Sequence, residues 1–234
     1  MAEEFELATD YAAHAFDHDI GQLRGMLSQM GGLAEQAIHD AINALQRADT
    51  TLATQIRSAD KGIDTLQAEV EALAVRIIAE RQLHDGDLRD VVAALKIAGV
   101  IERIGDYAKN IAKRVPLIES EYQIEPISAI PAMARIAAEM VHDVLDAFAA
   151  RDAQAAVLVC ERDRTLDDFY DGIFRILVTH MVENPATIGQ VAHLLFVAKN
   201  LERIGDHATN VAEMVYFAAT GAPMPERVKT GEVR

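Results

Sequence analysis

Glu102-Arg103-Ile104-Gly105-Asp106-Tyr107-Ala108-Lys109-Asn110 returns 100 residues later as Glu202-Arg203-Ile204-Gly205-Asp206-His207-Ala208-Thr209-Asn210. A duplicated helical core would need only its apolar spacing back. Here two acids four apart, an Arg, a mid-helix Gly and a trailing Asn came back with it, which marks a tandem duplication and makes the polar stripe a candidate site. A second match extends the repeat: Ile38-His39-Asp40 through Asp60-Lys61-Gly62-Ile63-Asp64 aligns with Val141-His142-Asp143 through Asp163-Arg164-Thr165-Leu166-Asp167 at an offset of 103 residues. The offset settles to 100 by Leu88 and Ile188, a three-residue slip expected where a helix is a turn shorter before the loop at 84–87 or at 183–187.

Each half reads as three helices, and the fold class as all-α: two tandem, internally duplicated three-helix bundles with six long helices. Half of the 234 residues are hydrophobic, Trp is absent, and Ala, Leu, Ile, Glu, Asp and Arg dominate, a composition that favours helices and supplies a sizeable core. The spacing predicts helices at about His18–Ala48, Thr51–Leu83, Leu88–Glu119, Ala132–Ala150, Ala153–Val182 and Ala186–Ala219. Asp49-Thr50 is the expected cap of the second, and Pro126 and Pro131 interrupt helical continuity between the halves. The first bundle is expected over 18–120 and the second over 127–220, with 1–17 and 221–234 as loosely ordered tails. In the first helix, Leu23, Met26, Leu27, Met30, Leu33, Ala37, Ala41, Ala44 and Leu45 are the expected core.

A single cysteine, Cys160, excludes an internal disulfide and fits a reducing compartment. The opening Met1-Ala2-Glu3-Glu4-Phe5 does not read as a signal peptide, so none is expected, and the longest apolar runs fall short of the ~20 residues that span a bilayer. A cytoplasmic protein without direct membrane insertion is expected. A formal net charge of −15, with no cluster of Lys and Arg large enough to neutralise several phosphates, argues against nucleic acid and anionic lipid.

Along the third helix Ile97, Ile101, Ile104, Ala108, Ile111 and Val115 form an apolar stripe, repeated in the sixth as Val197, Leu201, Ile204, Ala208, Val211 and Val215. At 100 degrees per residue, Glu102 and Asp106 project roughly opposite that stripe, with Asn110 continuing the row, so the acids are expected to face outward. Four acid pairs share the spacing: Asp60 with Asp64, Glu102 with Asp106, Asp163 with Asp167, Glu202 with Asp206. Like charges one turn apart cost a helix roughly 0.2–0.5 kcal/mol, so four pairs in register want a reason. Cation binding supplies one, since carboxylates one turn apart reach one hard ion or bracket neighbouring ions, and the carbonyls of Asn110 and Asn210 add oxygens. The plain alternative is a solvated acidic face screened by Arg103, Arg203 and Lys109. In the sixth helix the row Glu202, Asp206, Asn210, Glu213 has no Lys or Arg one turn on from either acid, which favours the cation reading there, whereas Lys109 and Lys113 crowd the third. Glu213, and His39 and His142, which recur each before an Asp, are auxiliary candidates. Gly105 and Gly205 cost a helix ~1 kcal/mol relative to Ala, and close approach of a neighbouring helix or of a partner is the expected return, ahead of a direct ligand-binding role. Cys160 reads as a packing residue, and His207, standing where the first half has Tyr107, carries little.

These residues resemble the PhoU family of phosphate-transport accessory proteins: the Glu-Arg-Ile-Gly-Asp-x-x-x-Asn motif at 102–110 and 202–210, Asp-x-x-x-Asp at 60–64 and 163–167, and Asp87-Leu88-Arg89 after the second turn. The resemblance covers about residues 18–220. It implies twin three-helix bundles whose surface motifs hold multinuclear iron or zinc clusters in some members, with no organic cofactor. It also implies a regulator that represses the phosphate-starvation response by linking the ATPase subunit of the phosphate ABC transporter to a membrane sensor histidine kinase, with Arg103, Arg203, Asp87 and Arg89 as partner-docking residues and a homodimer left open. The chain departs from the family pattern in having Leu83-His84-Asp85 where Pro is usual, and in keeping Pro185 without a second Asp-Leu-Arg.

Three function classes follow. An adaptor needs no nucleophile or phosphate-gripping loop, and G-x-x-x-x-G-K-[ST], G-x-S-x-G and H-E-x-x-H do not occur. A metal-dependent phosphohydrolase would draw on the His-Asp dipeptides at 39, 84 and 142. A ferritin-like di-iron bundle needs two inward Glu-x-x-His motifs, and only Glu139-Met140-Val141-His142 fits. The adaptor is the expected function.

Overall fold

Asp49 and Asp152 start matched helices in the same way. In the computed structural model, which describes residues 2–118 and 128–225 with side chains from residue 16 onward, each caps the helix that follows. Asp49 Oδ1 accepts from the amides of Thr51 (3.0 Å) and Leu52 (2.9 Å), and Asp152 Oδ1 from those of Gln154 (2.9 Å) and Ala155 (3.0 Å). Such a cap satisfies helix-start donors that otherwise lack partners. The preceding residues, Ala48 (φ 51°) and Arg151 (φ 53°), both take the left-handed conformation, which lets each turn reverse the chain within two residues.

Every regular element among the described residues is helical: α1 (Ala2–Arg47), α2 (Thr50–Ala59), α3 (Lys61–Glu80), α4 (Asp85–Ala112), α5 (Ile130–Ala150), α6 (Ala153–Glu183) and α7 (Ile188–Thr220), with short 3-10 turns at Val115–Leu117 and Pro185–Thr187. The helix expected over Thr51–Leu83 is interrupted at Asp60 into α2 and α3, while its counterpart α6 runs unbroken. α1 begins at Ala2, well before His18, so helix extends into the segment expected to be a loose arm. The connection between the halves, 119–127, and the tail 226–234 lie outside the described residues.

The three-residue slip sits in a connection rather than in a helix. α3 and α6 end at matched positions, Glu80 and Glu183, and the first half then inserts Arg81 to His84 where the second has Asn184 alone.

The two apolar stripes are core as expected: all twelve positions from Ile97 to Val115 and from Val197 to Val215 are at most 2 % exposed. In α1, Leu33 is instead 40 % exposed, and Ala34 and Ile38 take the buried places. The halves do not form separate cores. α4 packs on α1, α3 and α7, and α5 packs on α1, α6 and α7, so one apolar cluster runs through both. α4 and α7 lie antiparallel across this join, with Arg89 against Ala218 near one end and Arg114 against His193 near the other. Buried Asp90 adds an ionic tie, meeting Arg24 of α1 at 3.3 Å and Arg151 of the α5–α6 turn at 3.2 Å.

Candidate functional site

Gly105 and Gly205 explain how the carboxylates are gathered. A Cβ on Gly105 would lie 2.7 Å from Ile63 Cδ1 and 3.6 Å from Asp60 Oδ1. On Gly205 it would lie 2.2 Å from Leu166 Cδ2 and 3.2 Å from Asp163 Oδ1. The missing side chains let α3 close on α4, and α6 on α7, at the level of the acids, so the ~1 kcal/mol helix cost of glycine is exchanged for a tight seam.

Each seam brings two acid pairs together. In the first half, burial and then the charges of Asp106, Asp64 and Asp60 push the Glu102 carboxyl above the usual range. In the second, burial and then Asp163, Glu202, Asp206 and Asp171 push Asp167 up to about 6. Clustered carboxylates that resist ionisation show negative charge the local structure does not neutralise. The acids do not all face outward. Asp163 is 8 % exposed, and Asp60, Glu102 and Glu202 are half-buried in the seams, because the helix opposite each glycine approaches too closely to leave them in water.

The halves differ in how this charge is met. Lys109 Nζ bonds Asp60 Oδ2 and lies 3.3 Å from Asp106 Oδ1, so the first cluster carries a cation of its own, and those contacts raise the pKa of Lys109. At the matching place stands Thr209, whose hydroxyl donates to the Asp206 carbonyl at 2.7 Å. The second cluster is not wholly without a cation: Lys199, one turn before Glu202, meets it at 2.6 Å and lies 5.1 Å from the Tyr170 ring centroid. The spacing rule that looked only one turn onward missed it. Lys199 lies at the Glu202 edge of the cluster, and Asp167 remains elevated.

The other candidates are distributed more widely. Asn110 Oδ1 accepts from Lys113 Nζ at 2.9 Å, and Asn210 and Glu213 line a groove between α4 and α7. His39 is exposed on α1. The ring of His142 faces Glu35 at 3.3 Å and Asp146 at 3.6 Å, and Glu35 leads the charges that raise its pKa, so its acidic neighbours are not those of the clusters. Arg89 Nε donates to the Ala218 carbonyl at 3.5 Å beside Gly221 (φ 74°), which gives it a structural place at the end of α7. Arg103 and Arg203 are exposed, the second lying 5.9 Å from the Tyr107 centroid, and Asp87 is half-buried in the first turn of α4. Tyr107 and His207, which occupy one repeat position, meet edge to face with centroids 5.1 Å apart. Cys160 is buried, as a packing residue should be.

The donor set is all oxygen, the chemistry of a hard or borderline divalent cation. Among the described residues no three His, Cys, Asp or Glu side chains converge on one point in ligand geometry. Closing a site therefore requires rotation of the exposed Asp64, Asp167 and Asp206. A bound cation would neutralise the cluster and cross-link the two helices of a seam. The His-Asp dipeptides lie on α1, at the start of α4 and on α5, and Glu139 is exposed and paired with Arg135 (3.4 Å) and Arg162 (3.8 Å). The inward di-iron arrangement is therefore not formed by these groups. No helix among the described residues is long and apolar enough to cross a membrane.

Known proteins share both the sequence and this architecture. The family model for the PhoU domain matches twice, at residues 27–115 and 130–215. The phosphate-specific transport system accessory protein PhoU homolog of Zymomonas mobilis is 52 % identical over 94 % of this chain and 92 % of its own. The phosphate-specific transport system accessory protein PhoU of Escherichia coli K12 is 37 % identical over 88 % of this chain and 86 % of its own. The crystal structure of PhoU from Pseudomonas aeruginosa superimposes with a TM-score of 0.84 at 37 % identity, covering 88 % of this chain and all of that one. With both halves matched and the helical architecture shared, the chain belongs to the PhoU family.

Proposed function

We propose that this protein is a cytoplasmic accessory and regulatory protein of phosphate transport that represses the phosphate-starvation response while phosphate is plentiful. It acts as a non-enzymic adaptor between the ATPase subunit of the phosphate ABC transporter and a sensor histidine kinase, associating with the membrane through those proteins. Family membership, with relatives named as accessory proteins of phosphate-specific transport, supports the transport assignment. The single structural observation that carries the site is the pair of carboxylate clusters on the glycine-tightened seams, the second holding Asp167 at about 6.

Under this reading Asp163, Asp167, Glu202 and Asp206 hold a divalent cation or an iron or zinc cluster, and Asp60, Asp64, Glu102 and Asp106 form the weaker counterpart. The loaded face docks partner surfaces, with Arg103 and Arg203 alongside. An adaptor of this kind transmits transporter conformation only by binding two partner states with different affinity. Replacing Glu202 and Asp206 together by Ala, followed by elemental analysis of untagged protein and a phosphatase-promoter reporter in phosphate-rich medium, tests both parts. Loss of metal with derepression is expected. Wild-type metal content and repression would remove the site, and a low reporter signal after deletion of the whole chain would remove the regulatory function.

A further inference from the structure

Between α4 and α7 the surface opens into a groove of about 700 Å3. The repeat maps its walls, 89–103 of α4 and 207–217 of α7, onto 189–203 and 107–117. There Arg114 reaches across from the end of α4, its guanidinium 4.6 Å from the Phe196 ring centroid and 3.3 Å from His193 Nδ1.

The α4 wall carries Arg89, Lys96 and Arg103 seven residues apart, a row with one cation every two turns or ~10 Å. Val92 and Val100 lie between them, and Met214 and Phe217 face them from α7. Phe217 is 45 % exposed, although it is large and apolar. From Arg89 to Arg103 the wall extends ~21 Å, the length of a helix of about 14 residues. A chain of net charge −15 thus lines one apolar recess with an ordered row of cations. Glu213 is the one acid on the walls.

We infer that this groove docks an amphipathic helical segment of a partner protein, with acidic residues at seven-residue spacing flanking an apolar stripe. The apolar stripe covers Val92, Val100, Met214 and Phe217, and the acids pair with the cation row, a helix-in-groove mode in which charge sets register. Arg89 is tied to the Ala218 carbonyl, so the exposed Lys96 and Arg103 carry the recognition. The chain's own residues 226–234 have the wrong sign for this place, with Arg227, Lys229 and Arg234 against Glu226 and Glu232. The inference goes beyond the regulatory reading and uses the purified chain alone, so its failure leaves that reading standing.

The test is fluorescence anisotropy with two labelled synthetic helical peptides of about 18 residues, sharing a Leu stripe and bearing either Glu or Lys at seven-residue spacing. Overall charge attracts the Lys peptide, so a preference for the Glu peptide can arise only locally. The expected result is that the Glu peptide binds about tenfold more tightly. In Lys96→Glu/Arg103→Glu the preference reverses, and Phe217→Ser weakens both peptides. All three positions are exposed, and circular dichroism checks that each variant is folded. Equal binding of the two peptides, or a preference the double variant leaves unchanged, overturns the proposal. So does Glu-peptide binding that appears only after residues 226–234 are removed, which would make the tail the occupant, or a dimer in sedimentation that the double variant dissociates, which would make it a second copy.

Discussion

Replacing Asp167 by Asn should make the metal-free protein more stable, and by an amount that depends on pH. In the fold Asp167 rises from its ordinary 3.8 to about 6, through burial first and then Asp163, Glu202, Asp206 and Asp171. A carboxyl with a folded pKa above its unfolded one binds its proton more tightly in the folded state. Its penalty is therefore absent below about pH 4, grows between pH 4 and 6, and is full above that. Two units at ~1.4 kcal/mol each set a ceiling of about 3 kcal/mol. Asp167 is exposed, so solvent screening reduces this to about 1 kcal/mol. Urea unfolding in chelator should show Asp167→Asn more stable than wild type by about 1 kcal/mol at pH 7.5 and equal to it at pH 4. Titrating in a divalent cation should stabilise wild type and erase the difference. A variant less stable at pH 7.5, or an advantage that does not change with pH, would refute the account of the second cluster as incompletely neutralised charge.

Lys109→Thr places the second half's residue at this one position and removes the cation that Asp60 and Asp106 share. It should raise the divalent-metal content measured by elemental analysis, and unchanged stoichiometry would count against Lys109 as the built-in neutraliser. Gly205→Ala drives a Cβ to 2.2 Å from fully buried Leu166 and should destabilise by about 1–2 kcal/mol despite its helix propensity. Gly172→Ala, with nothing within 4 Å of its Cβ, should stabilise by about 0.5–1 kcal/mol, so paired thermal melts separate a packing glycine from an idle one. Asp90→Ala leaves Arg24 and Arg151, both partly exposed, without their shared carboxylate at the join between halves; because burial raises the Asp90 pKa and offsets part of what the pair contributes, the cost in urea unfolding should be only about 1 kcal/mol.

Helix identity, the duplication and the core stripes of α4 and α7 were legible because they are periodic along one chain: apolar residues at three-four spacing declare a buried face wherever that face ends up. Asp49 was legible as a cap for the same reason, since its partners are two and three residues away. The mid-helix glycines announced close approach, though not to which helix. The break at Asp60, by contrast, falls at the residue whose carboxylate is held by Lys109, 49 positions onward, and local propensity carries no record of that pair.

Which acids share a seam, and where each cluster meets its lysine, are settled between elements rather than within them. Outward projection of the acids was sound for a helix in isolation. It failed in part for Glu102 and Glu202, which are half-buried, because Gly105 and Gly205 admit the neighbouring helices so closely; Asp163 of the facing helix is covered by the same approach. The three cations at 89, 96 and 103 were visible as letters, but only the antiparallel packing of α4 against α7 turns them into the wall of a groove. Local spacing specifies which face of each helix is apolar. The choice of which faces meet, and so which polar groups lose water together, belongs to long-range packing, where burial and charge act on residues far apart in the chain.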